Sequence, residues 1–191
     1  MKFCSACGAR VAFEVPAGDN RRRHVCGDCG SIHYQNPKSV VGTIPEWDGR
    51  LLLCLRAIEP RHGYWTLPAG FLECGETMEE GASREAREEA NANLSLGSLY
   101  TLFSIPHIDQ VHVYYRARLL DPDFHPGEES LDVQLFAEDE IPWGELAFPV
   151  VHKTLELWFA DRRAGRFRTH TGDIVRNPGS REWPRFTVRS D

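Results

Sequence analysis

The sequence predicts an α/β (α+β) domain with a small, separately stabilised module in front of it. Three observations carry that expectation. Strand-like apolar runs alternate with helix-like periodic segments between residues 37 and 164, the pattern of a sheet covered by helices. Residues 1–35 hold four of the six cysteines, in two pairs, and little apolar mass. The 191 residues suffice for one ordinary domain plus something small. Three segments are therefore expected: 1–35, 37–164 and a turn-rich 165–191. The last carries six arginines against three acids, with Trp183-Pro184 inside it, and reads as an ordered arm, a dimer contact or a loose tail.

Within the middle segment, Ser39 to Ile44 is expected as a strand. Asp48-Gly49 marks a tight turn into a second strand, Leu51 to Arg56. Leu51-Leu52-Leu53-Cys54-Leu55 is apolar without alternation, so both of its faces are expected to be buried. Residues 77–91 read as a helix: Thr77 can cap it, and Glu80 three residues on completes a capping box. Leu96 to Ser104 and Gln110 to Leu119 read as strands, the second alternating Val111, Val113 and Tyr115 with His112, Tyr114 and Arg116. Val133 to Ala137 is a shorter strand. Val151, Thr154, Leu155 and Trp158 then recur at helical spacing behind Pro149, which suits a first turn.

Apolar residues make up 41 % and charged residues 26 %, a globular composition. The net charge of −6 disfavours nucleic acid and membrane surfaces as partners, because both are polyanionic. A small anionic ligand remains possible where metal ions supply positive charge. The N-terminus, Met-Lys-Phe-Cys-Ser-Ala-Cys, offers no apolar stretch long enough for a signal peptide, and the longest aliphatic run is far too short to cross a bilayer. A cytoplasmic location follows as the expectation, and reducing conditions there bias cysteines toward metals rather than disulfides.

Cys4 and Cys7 form one C-x-x-C, and Cys26 and Cys29 form another, with 18 residues between the pairs. That is the spacing of a tetrahedral Cys₄ zinc site; a redox pair or an iron–sulfur cluster are the alternatives. Four thiolate ligands leave no open position for catalysis, so the expected role of Zn²⁺ is structural. Arg21, Arg22 and Arg23 between the pairs are either a solvated turn or a nucleic-acid contact.

The most informative segment is Gly70 to Ala92. Glu79 and Glu80 suit the positive start of the expected helix. Glu85, Glu88 and Glu89 do not suit its end, where each carboxylate is unfavourable by roughly 0.3–1 kcal/mol. Their i, i+3, i+4 spacing puts all three on one face, where a hard cation such as Mg²⁺ or Mn²⁺ would relieve their repulsion. Ala82, Ala86 and Ala90 form a separate small-residue stripe that lets the helix lie close against a sheet. A solvated acidic face with Arg84 and Arg87 as partners is the competing explanation on the helix alone.

The spacing of the whole segment resembles the Nudix box, G-x₅-E-x₇-R-E-U-x-E-E-x-G-U with U apolar. Gly70, Glu76, Arg84, Glu85, Ala86, Glu88, Glu89 and Ala92 stand in register. One position departs: Asn91 replaces the last glycine, and Asn is the best substitute for a residue that ends a helix in the left-handed conformation. The resemblance implies a Nudix-type α/β/α sandwich with a mixed sheet, and a metal-dependent hydrolase. It implies that Glu85, Glu88 and Glu89 bind Mg²⁺, that Arg84 orients a box glutamate, and that Glu76 supports the loop. It leaves the general base open between Glu85 and a residue beyond the box; Glu129 in Pro126-Gly-Glu-Glu-Ser130 is the candidate for that role or for an extra metal ligand, with a solvated loop charge as the alternative. Arg56, at a strand end, stands where the family often contacts phosphate. Gly70 and Phe71 border the substrate, and Phe71, Tyr64 and Trp65 either stack on a base or pack into the core.

A Cys₄ ribbon followed directly by a Nudix domain resembles the zinc-ribbon group of the family, which includes NADH, FAD and ADP-ribose pyrophosphatases. The Ser-Gln-Pro-Trp-Pro-Phe-Pro signature of the NADH-specific branch has no counterpart after Ala92. The expected substrate is therefore a small ADP-linked diphosphate, with AMP as one product. A nucleotide-pool or RNA-cap hydrolase, and a nucleotide-sensing regulator, are the alternatives. A homodimer is possible, since many members dimerise.

Overall fold

A computed structural model describes residues 1–175 and 185–190. The chain divides into two compact units, Met1–Pro37 and Lys38–Asp191. In the first, β1 (Val11–Glu14), β2 (Arg23–Cys26) and β3 (Ile32–His33) form an antiparallel sheet in that order. Cys4 and Cys26 are its only fully buried residues. A unit this small has no apolar core, so what its thiols bind decides whether it folds.

The second unit begins with β4 (Lys38–Trp47) and β5 (Arg50–Arg56), joined by Asp48 and Gly49 at φ 48° and 78°. Two successive positive φ values make the type I′ turn that Asp-Gly favours. Short strands β6 (Trp65–Thr66) and β7 (Ala69–Phe71) precede α1 (Met78–Ala90). Then come β8 (Leu94–Ile105), β9 (Gln110–Leu119), β10 (Ser130–Phe136), α2 (Pro149–Ala164), β11 (His170–Val175) and β12 (Arg185–Ser190). The strand order is β10-β5-β4-β9-β8-β11-β12, with β6 beside β5 and β7 beside β4. The β4–β9 and β8–β11 pairings are parallel and the rest antiparallel, so the sheet is mixed.

Helices cover both faces. Ala82 of α1 packs with Val41, Val113 and Tyr115, and Ala90 with Leu52 and Cys54. On the opposite face Val151, Leu155, Trp158 and Phe159 of α2 pack with Ile44, Leu51, Leu53, Phe103 and Tyr114. Neighbouring residues of one strand therefore point into different cores. This is why Leu51, Leu52, Leu53 and Cys54 are all buried, and why β9 is buried on both sides of its alternation. The architecture is the α/β/α sandwich that the sequence predicts.

The described part of segment 165–191 supplies β11 and β12 to this sheet; Trp183-Pro184 lies outside the described residues. A buried cluster fastens β11: Asp161 Oδ2 of α2 lies 2.8 Å from His170 Nε2 and accepts from Tyr100 Oη and the Arg168 N–H, each at 3.2 Å. Nothing in the sequence pattern announces this cluster, because its members come from three elements. No helix among the described residues is long and apolar enough to cross a membrane.

Candidate active site and metal centre

The helix α1 starts as its sequence dictates. Thr77 Oγ1 accepts from the Glu80 N–H (3.2 Å), and Glu80 Oε2 accepts from the Thr77 N–H (2.8 Å), a complete capping box. It ends at Asn91, in the left-handed region at φ 49°, ψ 26°. Between these stops the alanine stripe lies flat against the sheet, Glu85 and Glu89 turn toward β7, and Glu88 faces outward.

Arg84 is the hub of the acidic face. Its Nε and Nη2 donate to the two oxygens of Glu76 at 3.1 and 2.8 Å. Its Nη1 donates to Glu85 Oε1 at 2.7 Å and to Glu88 Oε2 at 2.9 Å, and Nη2 also reaches the Phe71 carbonyl at 3.1 Å. These bonds hold Glu76 far down, at about 2. Glu76 Oε1 also accepts from the Glu73 N–H at 2.7 Å, tying the loop to the helix.

Glu85 and Glu89 are buried, at 8 % and 5 % exposure, whereas Glu88 is exposed. Burial pushes Glu89 up to about 8, against the pull of the Ala69 N–H that its Oε2 accepts at 3.1 Å. Burial raises Glu85 as well, opposed by Arg84. The Glu129 carboxylate raises both further, so the loop glutamate stands within electrostatic reach of the helix carboxylates. Gly70 has no room for a side chain: a Cβ there would overlap the Glu85 carboxylate.

Arg56, at the end of β5, sits opposite Ser130 in the β5–β10 register, and the backbone N–H of the next residue, Ala57, donates to the Glu129 carbonyl at 2.8 Å. The Arg56 guanidinium lies over the Phe148 ring (5.2 Å), donates to the Pro60 carbonyl (2.9 Å), and pulls Glu89 downward electrostatically. Phe71 is 49 % exposed beneath the Lys38 ammonium, 4.7 Å from its centroid. Trp65 is in the core, edge-on to Phe136, and is not free to stack on a ligand. Tyr64 is partly buried with the Arg61 guanidinium over its ring. The fold thus brings Gly70, Phe71, Glu76, Arg84, Glu85, Glu88 and Glu89 together along one side of α1, with Arg56 and Glu129 within electrostatic reach of Glu89.

A model of the NUDIX domain matches residues 36–159, well over half of the chain. The chain belongs to the Nudix family. A second model, described as Nudix N-terminal, a zinc ribbon, matches residues 2–35. A crystal structure of a NUDIX hydrolase from Nitrosomonas europaea is 52 % identical, with a TM-score of 0.90 over 92 % of this chain and all of that one. The NAD-capped RNA hydrolase NudC of Vibrio atlanticus is 31 % identical over 82 % of this chain and 58 % of that protein. The ADP-ribose pyrophosphatase of Methanocaldococcus jannaschii is 34 % identical over 60 % of this chain and 69 % of that protein. This Nudix chain spans 58 % to 62 % of the length of its Vibrio NudC relatives. That likeness removes the ground for excluding nucleic acid on net charge alone: a bulk charge of −6 says nothing about a local surface.

The ribbon holds a second ligand set. Cys4 and Cys29 Sγ are 3.7 Å apart, Cys7 and Cys26 Sγ 3.5 Å, and all four lie within 4.8 Å of one another. Four sulfurs at about 2.3 Å from a tetrahedral zinc are about 3.8 Å apart, so the set fits that ion. Gly8 and Gly30, at φ 79° and 74°, close the two knuckles. Hydrogen bonding by Ser31 holds the Cys29 thiol down at about 6, and His33 Nε2 lies 3.3 Å from Cys4 Sγ. Among the described residues no other three His, Cys, Asp or Glu ligand atoms converge in this way, the box glutamates included. The hydrogen bonds of Arg84 occupy the oxygens of Glu85 and Glu88 instead.

Proposed function

We propose that the chain hydrolyses the pyrophosphate bond of an ADP-linked nucleoside diphosphate derivative, of the ADP-ribose, FAD or NADH type, and releases AMP. The observation that carries this reading is the helix face on which Arg84 holds Glu85 and Glu88, with Glu85 and Glu89 out of water and Glu129 within electrostatic reach of both. Carboxyl groups buried beyond their counter-charges ionise readily only beside a hard cation. Glu85, Glu88 and Glu89 would hold Mg²⁺ or Mn²⁺, which when bound neutralises the diphosphate and activates the attacking water. Arg84 orients Glu85 and Glu88, and Gly70 leaves the Glu85 carboxylate its space. Arg56 takes a substrate phosphate, and the exposed ring of Phe71 offers a face to the base. Glu85 or Glu129 accepts the proton of the water as the phosphorus–oxygen bridge breaks. Zn²⁺ in the four cysteines has a structural role. Two relatives support the substrate class, since both ADP-ribose and an NAD cap present a diphosphate bonded to adenosine.

Chromatographic assays of AMP release with Mg²⁺ on ADP-ribose, FAD and NADH, beside cleavage of a nucleoside triphosphate, test the proposal. Preferential cleavage of the triphosphate would overturn it. Glu88→Gln separates an enzyme from a nucleotide sensor: turnover collapses in the first, and the second loses only ligand affinity.

A second reading, hydrolysis of a nucleotide cap on RNA, is favoured by the surface of the first unit. The Arg10, Arg22 and Arg23 guanidinium groups stack 5.6, 5.1 and 5.0 Å from the exposed rings of Phe3, Phe13 and Tyr34. Residues 1–37 carry five Lys and Arg against three Asp and Glu, while the rest of the chain carries 17 against 25. Paired arginines and aromatic rings are the chemistry that stacks single-stranded bases. Fluorescence anisotropy with a short single-stranded RNA, compared between the native chain and Phe13→Ala/Tyr34→Ala, tests this reading. Equal affinities would remove its support.

A further inference from the structure

The one departure from the Nudix box is Asn91, and its side chain makes contacts that glycine cannot make. Its backbone ends α1 in the left-handed region, with the Asn91 N–H on the Arg87 carbonyl (2.8 Å) and the Ala92 N–H on the Ala86 carbonyl (3.2 Å). Glycine meets that backbone requirement at lower cost, so the asparagine side chain is not there for the helix end. Its Nδ2 donates to the His125 carbonyl (3.1 Å) and the Pro126 carbonyl (3.4 Å), and lies 3.0 Å from His125 Nδ1.

Residues 125–130 follow the same path on their own backbone. The His125 N–H donates to the Ala90 carbonyl (3.0 Å) and the Gly127 N–H to the Glu89 carbonyl (3.0 Å), so the loop caps the last carbonyls of α1. The approach is so close that a Cβ on Gly127 would overlap the Glu88 carbonyl. The loop then turns, with the Ser130 N–H on the Gly127 carbonyl (3.1 Å) and the Ala57 N–H on the Glu129 carbonyl (2.8 Å), which brings Glu129 within electrostatic reach of Glu85 and Glu89.

We infer that Asn91 is a positioning residue: its amide clamps loop 125–130 to the end of α1 and so sets where the Glu129 carboxylate stands against Glu85 and Glu89. A clamp on the helix end is the economical place for this control. The two helix carboxylates are already fixed by packing, so only the loop needs to be held. The kinetic half of the inference rests on the hydrolase reading above; the clamp itself does not.

Two variants test it in the full chain. Asn91→Gly keeps the left-handed backbone without the side chain. Asn91→Asp keeps the size and loses the donor. Hydrogen exchange reads the clamp without turnover: both variants are expected to speed exchange of the His125 and Gly127 amides by about tenfold or more, and to leave amides in the middle of α1 unchanged. Unaltered exchange at those two amides overturns the inference. In the diphosphatase assay both variants are expected to lower kcat by roughly tenfold with KM nearly unchanged, because the positioned base is displaced while binding groups stay. In a Glu129→Gln background neither should lower kcat further. An equal loss in that background, a kcat that Glu129→Gln leaves untouched, or native behaviour of Asn91→Asp overturns it too. A native chain that turns over no diphosphate would sink the hydrolase reading alone, since the exchange experiment still decides the clamp.

Discussion

The cysteine cluster and the acidic helix face of this chain are built in opposite ways. In the ribbon, four sulfurs already stand within 4.8 Å of one another. At the end of α1, Arg84 stands between the carboxylates and holds two of them. The ribbon has no core besides its thiols, so an ion held by them would be part of its fold. The helix is fixed by its capping box and by alanines buried at 0 % exposure, so its carboxylates can be kept in an unfavourable place without the ion. On the proposed function, ion binding would go into folding at the first site and would remain for chemistry at the second.

The largest effect expected from this contrast is on folding. Stripping the cysteine site with a strong zinc chelator should unfold residues 1–37, because structural zinc supplies on the order of 10 kcal/mol in small domains. Removing Mg²⁺ should abolish turnover and leave the helical circular dichroism of the second unit intact. Loss of helix on Mg²⁺ removal would break the comparison. Next in size is Glu89→Gln, which deletes a buried ionisable carboxyl at the site; turnover should fall by roughly 10²–10³-fold, with retained or slightly raised melting temperature. Gly70→Ala comes third. Its Cβ must displace the Glu85 carboxylate, so kcat should drop by about 10²-fold as a fixed ligand moves. A native-like rate would show that the Gly70–Glu85 contact is incidental.

The smallest effect concerns a buried group that has no ion to call on. His112 is 7 % exposed, its Nδ1 has no hydrogen-bond partner among the described residues, and its Nε2 meets Gln110 at 2.8 Å. Burial holds it down at about 4. As pH falls below about 6.5 the unfolded chain gains a proton there and the folded chain does not. Stability contributed by the neutral ring is complete above that pH and is lost as pH falls toward 4, by at most about 3 kcal/mol. Denaturant melts at pH 7 and pH 4 should show this loss, and His112→Gln should diminish it. An undiminished loss would place the acid sensitivity elsewhere.

Much of the site was legible in the sequence because its parts are local. The cysteine pairs, the Thr77–Glu80 box, the Asp48-Gly49 turn and the unalternating Leu51–Leu55 run each act within a few residues, and each takes its expected form. Trp65 was not legible: an aromatic next to a site looks the same whether it stacks on a ligand or packs edge-on against Phe136. Nor was the Asp161–His170 cluster, whose partners are set by the parallel placement of β11 on β8.

The Nudix family and the positions of its acidic helix were determined by the sequence alone, since spacing along one helix fixes which side chains share a face. Only the tertiary structure decided that Ala69 would hold Glu89, that Gly70 would make room for Glu85, and that Asn91 would bind the loop of Glu129. Those contacts join β7, α1 and a loop some 35 residues on, where Asn91 reaches Pro126. Chain separation carries no distance until packing closes it.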